Sequence, residues 1–189
     1  MAGPLPNQWG AEPCLDLVNS RWSDHLGSGR FYERLSEPLW RRGFLEQWGY
    51  RVRDPDDAGA IADLAVLRSV LRHAFEAHLS RRRLHRSLRV ALETQMNRTP
   101  IRLAMSSRPG GYELSLLRSG DDWDAVIAEV ATSAGRLISQ RRRLKVCANP
   151  HCSWMFVDES RPGTRRWCDV SICGSLINVR RHRALLAGR

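Results

Sequence analysis

Cys147-Ala148-Asn149-Pro150-His151-Cys152 and, fifteen residues further on, Cys168-Asp169-Val170-Ser171-Ile172-Cys173 decide how the C-terminal end of this chain folds. Two cysteine pairs carried on loops can supply four thiolates, a set that completes a tetrahedron around Zn²⁺ without a large apolar core. Between the pairs, Trp154-Met155-Phe156-Val157 favours a strand and Arg161-Pro162-Gly163-Thr164 a turn. Arg165-Arg166-Trp167 then leads back to the second pair. Residues 175–186 suit a helix, with Leu176, Val179 and Leu186 on roughly one side. Loop, hairpin and a helix bearing the second pair predict a treble-clef-like zinc module over residues 144–189. Cys147, Cys152, Cys168 and Cys173 close the metal's coordination, so one Zn²⁺ here is structural, with no open position for a reacting water. The competing reading, four reduced cysteines in a small core, suits the polar surroundings poorly. His151 and His182 are alternative ligands by type and are read as surface residues.

Working upstream, Arg141-Arg142-Arg143 joins this module to a helix opened by Asp121 or Asp122 and carrying Trp123, Val126, Ile127, Val130, Ala134, Leu137 and Ile138. Ahead of it, Ile101-Arg102-Leu103-Ala104-Met105 and Tyr112-Glu113-Leu114-Ser115-Leu116 alternate around Arg108-Pro109-Gly110-Gly111, the pattern of a β-hairpin. Asp54-Pro55-Asp56-Asp57 opens a long helix with the stripe Ile61, Leu64, Leu67, Leu71, Phe75 and Leu79. Further helices are predicted over residues 84–97, over 37–48 with Gly49 as the stop, and over 13–22 behind Pro13, with 25–34 as loop. The fold class is mainly α with a small β-hairpin (α+β): a multihelical body over residues 1–143, then the zinc module.

Composition limits function. Apolar content of 42% and charged content of 26% are those of a globular protein. No signal peptide and no membrane span is visible, which predicts a cytoplasmic protein. That compartment keeps thiols reduced, and an odd total of five cysteines also disfavours disulfides. Cys14, apart from the others, reads as a small apolar core residue. The net charge of +10 is unevenly placed. Residues 1–135 hold 18 basic and 17 acidic groups, whereas residues 136–189 hold 12 and 3. Lys145 is the only lysine.

The segment from Lys145 to Cys168, with Cys173-Gly174 and Val179-Arg180-Arg181-His182-Arg183, resembles the CGNR-type zinc finger. Cys14-Leu15-Asp16-Leu17-Val18-Asn19-Ser20 resembles the opening of the ABATE domain that precedes such fingers. Together the resemblance spans essentially the whole chain. It implies a bacterial regulator of transcription that binds DNA. One departure stands in the signature: Ser175-Leu176 replace the family's Asn-Arg after Gly174, and the metal ligands are untouched.

Arg165, Arg166, Arg180, Arg181, His182 and Arg183 are the candidate nucleic-acid contacts, since guanidinium groups bind phosphates bidentately. Two blander roles compete: neutralising the thiolates and solvating a small module. DNA is favoured over RNA by the resemblance alone, and the alternative is a protein-interaction module with zinc as scaffold. In the body, Asp16 and Asn19 lie one turn apart, as do Arg68 and Arg72 on the long helix. Either the two faces pin helices together through an Asp16–arginine pair, or they hold a polar small-molecule effector. No nucleophile elbow, phosphate-binding Gly loop or zinc-protease helix is present, so no enzyme is expected.

Overall fold

Pro13 begins α1 (Pro13–Asn19) where its missing N–H leaves no hydrogen bond unmade, and all seven residues of this helix are buried. The structure, a computed structural model, describes residues 9–118, 120 and 122–187, the side chains of 116 and 117 excepted. The helix predicted to reach residue 22 ends at Asn19. Arg21–Ser23 instead forms β1, antiparallel to β2 (Phe31–Glu33), with Trp22 opposite Tyr32. The stretch expected to be loop therefore contributes a strand. The cause is tertiary: Trp22 stacks on Tyr32 at 4.8 Å between centroids and meets Trp154 edge-on at 5.9 Å.

The remaining body helices follow the sequence closely. α2 (Pro38–Gln47) gives way to Gly49, whose φ of 67° closes the helix end. Asp57 caps α3 (Ala58–Leu79), its carboxylate accepting from the Ala60 amide at 2.7 Å. Along α3, Leu64, Leu67, Leu71 and Phe75 are buried, with Ile61 and Leu79 packed at the margin. α4 (Arg86–Met96) follows, and α5 (Trp123–Ser139) is capped by Asp122; Asp121, the other expected cap, lies outside the described residues. α1 sits against both α3 and α5, and α4 packs on the same pair. Cys14 lies in this core with no exposed surface, and burial pushes its thiol up to about 12.

The predicted hairpin is β3 (Ile101–Arg108) and β4 (Gly111–Arg118), with Met105 opposite Leu114 and Ser107 opposite Tyr112. One face carries Ile101, Leu103, Met105, Tyr112 and Leu114, and every one of these is exposed, Met105 by 72%. The alternation led to strands correctly, but this apolar face covers no core.

The zinc module begins with β5 (Leu144–Val146) and β6 (Met155–Val157), paired antiparallel with the first cysteine pair in the loop between them. β6 was expected to pair with the segment leading to Cys168. Residues 165–167 form no strand, and Lys145 Nζ holds the chain there by donating to the Gly163 and Arg165 carbonyls. A π-helical turn (Val170–Gly174) runs into α6 (Ser175–Ala187). Leu144, Met155 and Val157 join the body's core, while the body's Trp22 joins the cysteines, Trp154 and Phe156 in a second one. Among the described residues no helix is long and apolar enough to cross a membrane.

Candidate metal centre

Three of the four cysteines are positioned by local hydrogen bonds or by the turn that holds them. The Cys147 amide donates to the Trp154 carbonyl at 2.9 Å across the hairpin, and the Cys152 amide closes a turn onto the Asn149 carbonyl at 2.9 Å. Cys173 lies in the π-helical turn, whose start is capped by Asp169 accepting from the Ser171 and Ile172 amides. A Cβ added to Gly174 would lie 3.0 Å from Trp167 Cδ1, so glycine here lets the indole close against the second pair.

The four sulfurs lie within 4.8 Å of one another, with Cys152 to Cys168 at 3.8 Å and Cys168 to Cys173 at 3.7 Å. A tetrahedron with Zn–S bonds of about 2.3 Å has edges of about 3.8 Å. A disulfide would need about 2.05 Å. The geometry is therefore that of a thiolate cage for one metal ion. Hydrogen bonds among the four crowded sulfurs push the Cys152 and Cys168 thiols up and the Cys147 and Cys173 thiols down, so the four cannot all carry charge unaided. A divalent cation at the centre removes that conflict. The donor set fits zinc. His151 and His182 are exposed and outside the cluster.

Asn149 is the site residue that sequence reasoning missed. It is fully buried, and its Nδ2 donates to Cys173 Sγ at 3.6 Å and to the His25 carbonyl at 2.9 Å. It ties a ligand sulfur to the loop between β1 and β2. The one available signal was an Asn-Pro step inside a cysteine loop.

The family model described as "Putative stress-induced transcription regulator", ABATE, matches residues 11–141, and the CGNR zinc finger model matches residues 143–185. The chain belongs to the ABATE family. Its finger is of the CGNR type, in the order that the two resemblances implied. Among curated proteins, none matches the chain.

Within the CGNR finger the candidate nucleic-acid residues divide. Arg165 is a brace of the finger itself: it lies over the Phe156 ring at 4.6 Å and donates to the Trp167 and Cys168 carbonyls. Arg166 is exposed, over the Trp167 ring. Arg180 is exposed and donates to the Leu26 carbonyl at 2.5 Å. Arg181, His182 and Arg183 stand exposed on α6, a helix with no buried residue.

In the ABATE body the expected pairing of Asp16 with Arg68 or Arg72 does not form. Asp16 turns toward α2, accepting from Trp48 Nε1 at 2.8 Å and from the Gly10 amide at 2.5 Å. Burial pushes its carboxyl up to about 7 against those two hydrogen bonds. Arg68 faces β2 instead, gripping Glu33 through both Nη atoms, and also donates to Ser20 Oγ. Arg72 donates to Glu76 and to the Ser153 carbonyl of the finger. Asn19 pairs with the backbone of Met155. Arg68 and Arg72 line a cavity of about 310 Å³ with Val18, Trp22, Phe31 and His73; Asp16 and Asn19 do not.

Proposed function

We propose that this ABATE protein is a DNA-binding regulator of transcription, with structural zinc and no catalytic activity, working in the cytoplasm. The observation that carries the reading is α6, a helix with no buried residue that bears Arg180, Arg181, His182 and Arg183 and starts immediately after the metal cage. The cage fixes the start of that helix, so the arginines are presented from a rigid base. Ser175 Oγ donates to the Val170 carbonyl at 3.3 Å and Leu176 is half-buried. Of the two positions that depart from the family signature, Ser175 thus bonds to the turn and Leu176 carries no polar group, which supports contact through phosphates with weak sequence preference.

The test is duplex binding across a salt series. Arg180→Ala/Arg181→Ala/Arg183→Ala weakens binding to unrelated duplexes alike and lowers the salt slope by up to about three contacts. A triple variant that binds as tightly as the parent overturns the reading.

A second reading, a protein-interaction module scaffolded by zinc, is favoured by the exposed apolar face of β3 and β4. Absence of duplex binding by the parent at about 50 mM salt selects it. A small-molecule effector belongs, in the regulator reading, in the cavity beside Arg68 and Arg72. Its lining of Trp22, Phe31, Arg68 and Arg72, the arginines paired with Glu33 and Glu76, suits a polar organic molecule, and Arg72 connects it to Ser153 of the finger.

A further inference from the structure

The ends of α3 and α5 are built alike. After α3, the Arg81 amide donates to the His78 carbonyl and the Arg82 amide to the Ala77 carbonyl. After α5, the Arg141 amide donates to Ile138 and the Arg142 amide to Leu137. Both are the paired bonds of a Schellman motif, whose left-handed residue is ordinarily glycine. Here that residue is arginine twice, Arg81 with φ of 53° and Arg141 with φ of 51°, the two non-glycine residues at positive φ among those described. Cationic complement to a helix C-terminus needs no such conformation, since an arginine in the last turn supplies it. Strained backbone of this kind concentrates at functional sites.

The two ends open onto one cleft of about 730 Å³, walled by the triplets Arg81-Arg82-Arg83 and Arg141-Arg142-Arg143 with His78 at the edge. No acidic residue lines it. Arg142 is paired with Glu12 and Glu159, and Arg143 donates to the Asp158 and Ser160 carbonyls. Arg81, Arg82, Arg83 and Arg141 make no side-chain hydrogen bond or ion pair among the described residues. Four unpaired guanidinium groups from two chain segments exceed what one carboxylate or one phosphate can use.

We propose that this cleft is a polyphosphate site, taking two or more phosphate groups linked in one molecule or one strand. The proposal is independent of the α6 reading, because it needs none of Arg180, Arg181 and Arg183. Its ligand is either a free polyphosphate-bearing small molecule or the backbone of a nucleic acid.

The experiment is calorimetric titration of the zinc-loaded full chain with inorganic triphosphate at low ionic strength, and a parallel titration with duplex DNA. Arg81→Gly/Arg141→Gly places glycine where φ favours it, so Tm stays level or rises while affinity falls at least tenfold. Arg82→Ala/Arg83→Ala leaves both helix ends as they are and gives a comparable loss. Arg102→Ala/Arg108→Ala removes the same charge from the hairpin, which does not line the cleft, and changes affinity less than twofold. Saturable triphosphate binding that duplex does not displace identifies a small-molecule ligand. Displacement by duplex, or a tenfold loss in duplex binding alone, identifies backbone phosphates. Equal affinity of parent and cleft variants for both probes overturns the proposal. An equal loss in the hairpin control, or a triphosphate loss that follows the α6 substitutions instead, overturns it as well.

Discussion

The side-chain amide of Asn19 closes on both backbone polar groups of Met155, accepting from its N–H and donating to its C=O, each at 2.8 Å. An asparagine on α1 thereby acts as one more strand beside β6 and joins the ABATE body to the finger across a buried seam. Asn19→Ala leaves two buried backbone groups unpaired, at roughly 1–3 kcal/mol apiece. The expected loss is about 2–6 kcal/mol in urea unfolding of the zinc-loaded protein. A loss below about 1 kcal/mol shows that water takes over the amide's role.

Metal content follows from the cysteine geometry. The purified protein holds one zinc per chain, and X-ray absorption finds four sulfurs at about 2.3 Å. Chelation unfolds the finger, because binding energy there is folding energy. Trp22 and Trp154 lose their burial, so tryptophan emission shifts to the red. Unchanged emission after complete zinc removal contradicts this linkage.

Asp16 makes stability depend on pH. Its folded carboxyl titrates at about 7, well above an unfolded aspartate near 4. The folded state therefore holds a proton that the unfolded chain has released between those values. This contribution is greatest below about pH 4, falls as pH rises through about 7, and is flat beyond. Three pH units correspond to at most about 4 kcal/mol. Asp16→Asn removes this slope, measured as the difference between variant and parent from pH 5 to 8. Parallel profiles for the two proteins rule it out.

Two apolar sites of opposite character separate core from surface. Phe75 has no exposed surface, and Phe75→Ala costs about 3–5 kcal/mol. Leu103 and Met105 are 68% and 72% exposed, and Leu103→Thr/Met105→Thr changes stability by less than about 0.5 kcal/mol per site. Chemical denaturation of the variants checks both, and sedimentation shows whether the hairpin variant self-associates less.

What could be read from sequence was whatever depends on local spacing. Four cysteines in two pairs announced the cage, and the stripe from Leu64 to Phe75 announced the buried face of α3, because both patterns repeat at intervals set by the chain's own geometry. Trp22 was misplaced because its partners, Tyr32 and Trp154, override helical periodicity from a distance. The Asp16–arginine pairing failed for a related reason. One-turn spacing says which residues share a face but not which helix that face meets, and Trp48 of the α2 end reached Asp16 first. Arg165 carried the same charge in sequence as Arg181, yet packs on Phe156 inside the finger. Charge composition does not distinguish a brace from a free cation.

Trp22, built into the cysteine core, also orders events during synthesis. A ribosome delivers α1 and the first hairpin before the metal ligands; Ser23 waits for Ser153 across 130 positions. At about 5–20 residues per second that interval lasts roughly 7 to 26 seconds. Until then Trp22 lacks its indole partner and Asn19 its strand. The segment made before the finger thus settles only with it, and a cell short of zinc would expose the first hairpin of the ABATE body as well as the finger.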